Sequence, residues 1–105
     1  MKDLHKISLL YSEDCPSHHE ALSRLRKILH QEGITVEIET INVRTNEEAI
    51  TLHFRGSPTI LIDGQDIDPS STEGFGLACR AYRLEDGRIS PLPSESMIRK
   101  ALRGT

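Results

Sequence analysis

Apolar and polar positions along the chain change period several times, and each change marks an element. Ile7-Ser8-Leu9-Leu10-Tyr11 is a short run of strand formers and reads as a buried strand. A polar turn, Ser12-Glu13-Asp14, follows. Ala21, Leu22, Leu25, Ile28 and Leu29 then recur at spacings of three and four, with Ser23, Arg24, Arg26, Lys27 and His30 on the other face. This spacing predicts an amphipathic helix from Pro16 to Gln31. Proline suits its first position, where a missing N–H costs nothing, and Gly33 is its natural stop. Ile34, Val36 and Ile38 alternate with Thr35, Glu37 and Glu39 as a strand, whose phase slips near Thr40 before Ile41 and Val43.

Thr45-Asn46-Glu47-Glu48 fits a capping box and predicts a short helix through Ala49, Ile50, Leu52 and His53, broken by Arg55-Gly56-Ser57-Pro58. Thr59-Ile60-Leu61-Ile62 reads as a strand, and Asp63-Gly64 as a tight turn. Gln65 to Ala78 has no periodicity and carries Pro69, Gly74 and Gly76, which reads as a functional or mobile loop. Cys79 to Leu84 reads as a further strand, ended by Glu85-Asp86-Gly87. Ser94 caps a final helix with Met97, Ile98, Ala101 and Leu102 on one face and Arg99, Lys100 and Arg103 toward its C-terminus, where the helix dipole favours cations. The order is a βαβ unit, which implies a parallel strand pair, then a helix, two strands that the Asp63-Gly64 turn allows to be antiparallel, and a helix. The expectation is an α/β fold, a mixed four-stranded sheet (βαβ then ββα) with helices on both faces, as a single domain over residues 1–105.

Composition narrows the partners. Apolar residues make up 36% of the 105, and with two Tyr, two Phe and no Trp the core must come from Leu, Ile and Val. The net charge is -3, with acids and bases mixed and no Lys/Arg run, so no nucleic-acid partner is expected. No stretch approaches the roughly 18 apolar residues of a membrane span. The run after Met1-Lys2-Asp3-Leu4-His5-Lys6 is too short for a signal-peptide core, so the expected location is cytoplasmic, with no membrane partner and no cofactor. Two cysteines form no disulfide framework; in a reducing cytosol each is either buried and inert or chemically active.

Cys15 holds the position with most chemistry. At a helix start it lies near unpaired N–H groups and the positive end of the dipole, both of which favour thiolate. His18 and His19 follow at three and four residues, spacings that share a helix face, and either imidazole can donate to the thiolate. Glu13 and Asp14 oppose this through like charge; the expected balance is a lowered thiol pKa. The same Cys15, His18 and His19, with Cys79, are a donor set for zinc, copper(I) or mercury, although ligands packed on one helix rarely complete a tetrahedron alone. Asp63, Asp66 and Asp68 lack the spacing of a calcium loop and read as a solvated turn.

This element order, with Cys15-Pro16 opening the first helix and Ser57-Pro58-Thr59 ahead of the third strand, resembles the thioredoxin superfamily over nearly the whole chain. It is also similar to a group of small bacterial thioredoxin-like proteins of poorly defined function, through Glu13-Asp14-Cys15-Pro16, Phe54-Arg55-Gly56-Ser57-Pro58-Thr59-Ile60-Leu61-Ile62-Asp63-Gly64, and Gly76-Leu77-Ala78-Cys79-Arg80-Ala81-Tyr82. The resemblance implies a thioredoxin-like fold and a cis bond before Pro58, with that loop facing the Cys15 thiol. With His18 added from its spacing to Cys15, the candidate catalytic set is Cys15, His18 and Pro58, with Pro16, Ser57 and Thr59 around the substrate, a thiol or disulfide on a protein or a small thiol such as glutathione. The redox motif of the superfamily is C-x-x-C; here it reads Cys15-Pro16-Ser17-His18, so a dithiol cycle cannot run within it. Cys79 is the candidate resolving thiol. An antiparallel pairing of Cys79–Leu84 with Ile60–Ile62 would put it at the hairpin end away from Pro58, and the bland alternative is a buried thiol on a strand. Three readings follow: monothiol redox chemistry at Cys15, soft-metal binding, and a non-catalytic thioredoxin-fold binding module.

Overall fold

The structure, a computed structural model, describes residues 6–13, 17–68 and 82–103. Strand β1 (Ile7–Tyr11) leads to helix α1 (Ser17–Gln31), strand β2 (Ile38–Asn42) and helix α2 (Asn46–Leu52). Strands β3 (Thr59–Ile62) and β4 (Gln65–Asp66), a second pair β5 (Tyr82–Arg83) and β6 (Ile89–Ser90), and helix α3 (Glu95–Arg103) complete it. The main sheet has the order β2-β1-β3-β4. β1 runs parallel to β2, with Ile7 opposite Ile38, and antiparallel to β3, with Leu10 opposite Thr59. The described residues thus form an α/β fold with a mixed four-stranded sheet and three helices.

Alternation along the central strands sorts the core into two layers. Ile7 and Leu9 of β1 and Ile60 and Ile62 of β3 pack with Ala21, Leu25, Ile28 and Leu29 of α1 and Ile98 and Leu102 of α3. The other face is smaller: Leu10, Val43, Ala49 and Phe54, covered by α2. A strand buried on both faces has no polar side to show, which is why β1 reads as a nearly continuous apolar run. Charged side chains clasp α1 to α3: Lys27 meets Glu95 at 3.1 Å, and Glu32 takes Arg99 at 3.6 Å and Arg103 at 3.4 Å. The hydrogen bond from Lys27, then its charge, holds the Glu95 carboxyl below its ordinary pKa.

The ends of the helices are built locally. At Gly33, φ is +70°, and the N–H groups of Gly33 and Ile34 bond back to the carbonyls of His30 and Leu29 in a Schellman arrangement. His53 does the same at the end of α2, with φ of 58°, and Phe54 N–H reaches the Ala49 carbonyl at 2.8 Å. α2 therefore stops at Leu52 and His53 is its cap, one residue before the expected last helical position. At its start, Glu48 N–H donates to Thr45 Oγ1 at 3.0 Å, while the Glu48 carboxylate accepts from the Arg44 N–H at 2.9 Å, a capping box displaced by one residue on its return side. Thr45→Ala is expected to cost about 1 kcal/mol, read as a lowered urea midpoint at unchanged slope; a midpoint within error of the parent would count against this cap.

Three expectations are corrected. The strand expected from Ile34 begins at Ile38, because β1 offers its register partners only from Ile7; Ile34 and Val36 still pack against the larger core. The fourth strand of the sheet is Gln65–Asp66, not Cys79–Leu84. Asp63 and Gly64 both have positive φ, 55° and 83°, the conformation of a two-residue hairpin, so the chain folds straight back onto β3. A two-residue polar strand has no alternation to betray it. Tyr82–Arg83 instead pair with Ile89–Ser90 across a turn in which Leu84 N–H bonds Arg88 O at 2.8 Å. Gln65–Asp66 also shortens the expected loop, whose remainder from Pro69, like Cys79, lies outside the described residues.

Candidate functional site

The carboxyl end of β1, the start of β3 and the start of α1 meet at one end of the sheet, on its two central strands. Register forces the first two together: with Leu10 opposite Thr59, the next residues of β1 run toward Pro58 and Ser57. Ser12 N–H donates to Ser57 Oγ at 3.1 Å, in a buried contact that spans 45 residues of sequence. Thr59 Oγ1 donates to Gly56 O at 2.6 Å, and the Tyr82 hydroxyl donates to Pro58 O at 2.7 Å. The Ser57–Pro58 peptide bond is cis. Residues 57, 58 and 59 are therefore each held by a hydrogen bond of their own, and Ser57 and Thr59 are wholly buried.

At the start of α1 the rings are stacked. Tyr11 and His18 lie with centroids 4.2 Å apart and planes 18° apart, and His18 and His19 with centroids 4.1 Å apart. Tyr11 and His18 are half-buried and His19 is exposed. α1 begins at Ser17, so its unpaired N–H groups and positive dipole end lie in its first turn, which carries His18 and His19.

The expected site residues divide as follows. The structure brings Ser57, Pro58 and Thr59 to the end of β1 and sets His18 on Tyr11 beside it; Cys15, Pro16 and Cys79 lie outside the described residues. The side chains of Ser57 and Thr59 are spent on bonds within the fold. Tyr82–Arg83 do not pair with β3, so the expected hairpin with Cys79 at its far end from Pro58 is not formed, and Tyr82 instead reaches Pro58. Asp63 Oδ1 accepts from Lys6 N–H at 2.8 Å, which ties the β3–β4 turn to the start of β1, and Asp66 Oδ1 accepts from Asp68 N–H at 2.8 Å, which braces its own turn. Among the described residues no group of three or more His, Cys, Asp or Glu is placed to hold a metal ion. Sequence reading passed over Ser12, Tyr11 and Tyr82. The one signal for Tyr82 was its rarity, a tyrosine in a chain with few aromatics, since a buried Tyr requires a partner for its hydroxyl.

No helix among the described residues is long and apolar enough to cross a membrane. A family model for a domain of unknown function (DUF2703) matches residues 15–102. No curated protein and no solved structure matches the chain.

Proposed function

The chain belongs to the DUF2703 family, a domain of unknown function, and from that premise we propose that it is a thioredoxin-fold protein that exchanges thiols and disulfides through the single cysteine Cys15. The observation that carries this reading is the Ser12 N–H to Ser57 Oγ hydrogen bond. It ties the Ser57–Pro58 loop to the end of β1, three residues along the chain from Cys15. The sheet order and the helices on both of its faces support the thioredoxin-like fold.

The chemistry is a monothiol cycle. The helix start favours the Cys15 thiolate. That thiolate attacks one sulfur of a substrate disulfide, forms a mixed disulfide and expels the other sulfur as thiolate, which takes up a proton. His18 stands where a second cysteine would resolve this intermediate, so an external thiol such as glutathione attacks it, releasing Cys15 and forming a new disulfide. A second reading has an observation of its own. Tyr82 is bonded to Pro58, and Cys79 lies three residues before Tyr82 in the chain, which favours Cys79 as an internal resolving thiol.

The deciding experiment is alkylation of each cysteine as a function of pH, mapped by mass spectrometry before and after mild oxidation. Cys15 is expected to react with an apparent pKa below the reference of about 8.5. A Cys15 that stays unreactive, or titrates like free cysteine, would overturn the redox reading and leave a binding module. A Cys15–Cys79 peptide after oxidation would select the internal cycle.

A further inference from the structure

We propose that Tyr82 is a positioning residue for this site: its hydroxyl holds the Pro58 carbonyl and so sets the pose of the Ser57–Pro58 loop toward a bound disulfide. The inference rests on the thiol-exchange reading above. Side-chain hydrogen bonds reach residues 57 to 59 from the end of β1 and from within their own loop, and the one from Tyr82 comes from the β5–β6 hairpin, outside the main sheet. Tyr82 and Pro58 are both buried, and their 2.7 Å bond closes a separation of 24 residues. Pro58 has no N–H, so its carbonyl is the one main-chain group through which a hydrogen bond can hold it. The Tyr82 ring already fills its place in the interior; the hydroxyl adds packing of no consequence and one directional bond. That bond ends on the residue between Ser57, which meets the end of β1, and Thr59, which opens β3. The small hairpin thereby acquires a role: it carries the donor.

The test is Tyr82→Phe, which keeps the ring and removes the donor. Three quantities are measured on the full chain: KM and kcat for a cysteine–glutathione mixed disulfide with reduced glutathione as the resolving thiol, the rate of Cys15 alkylation by iodoacetamide, and amide hydrogen exchange at Ser12 and Leu9. The small alkylating agent needs no docking, so its rate is expected to stay at the parent value. KM is expected to rise about tenfold, the scale of one lost buried hydrogen bond, with a smaller change in kcat. The Ser12 amide, bonded to the loop, is expected to exchange faster, while Leu9 in the core stays protected. A parent protein that turns over, with equal KM in the variant, would overturn the role of Tyr82 and leave the thiol reading intact. Faster exchange at both amides, with alkylation and turnover altered together, would mark a purely structural residue and overturn it too. A parent Cys15 that exchanges with no disulfide would overturn the thiol reading itself.

Discussion

Cys15→Ser is expected to bring turnover of a glutathionyl mixed disulfide, with reduced glutathione as the resolving thiol, down to the uncatalysed background. The reason is chemical. A serine hydroxyl does not ionise near neutral pH and does not attack sulfur as a thiolate does. The loss should appear in kcat, while the urea midpoint stays close to that of the parent. Cys79→Ser run beside it separates the two cycles. It leaves the monothiol route at its full rate, whereas an internal route would stall at the mixed disulfide. An unchanged rate in Cys15→Ser would remove thiol exchange at this residue from consideration, and the search would turn to a partner bound by the fold.

The largest expected effect on stability is at Phe54. It is fully buried, follows directly on the left-handed cap of α2, and is the biggest member of a core layer that holds, among the described residues, three other buried side chains, Leu10, Val43 and Ala49. So small a layer has few neighbours able to relax into a cavity. Phe54→Ala is expected to cost about 3–5 kcal/mol, a large share of the roughly 5–15 kcal/mol that holds a small domain together. Equilibrium urea unfolding reads this as a shifted midpoint. A loss near 1 kcal/mol would show that α2 closes over the gap and that the layer is less tightly packed than its burial suggests. The same substitution bears on the site, because Phe54 leads through Arg55 and Gly56 to Ser57.

How far the sequence carried the fold depended on how many residues each element had in which to declare a period. α1, with Leu25, Ile28 and Leu29 returning to one face over four turns, was legible to within a residue, as was α3 with Ile98 and Leu102. β1 and β3 were legible as apolar runs for the opposite reason, since burial on both faces removes all alternation. The two-residue strands were not legible. Gln65–Asp66 and Ile89–Ser90 carry no period, and only their partners make them strands. Ile34 and Val36 mislead in the other direction: they alternate because they pack beside α1, not because they pair.

For the candidate site, the sequence by itself placed Cys15 two residues before Ser17, where α1 begins, His18 three residues after that cysteine, and Pro58 directly ahead of β3. These are facts of residue type at short spacing, and local physics reads them. Only the tertiary structure decided the long-range contacts. That Ser12 lies on Ser57, that Tyr11 stacks on His18, and that a tyrosine from an outlying hairpin bonds Pro58 follow from strand register and from how the hairpin docks. Such contacts join residues up to 45 positions apart through single hydrogen bonds. A bond of that kind leaves no pattern along the chain, because its two ends are related only by the packing that brings them together.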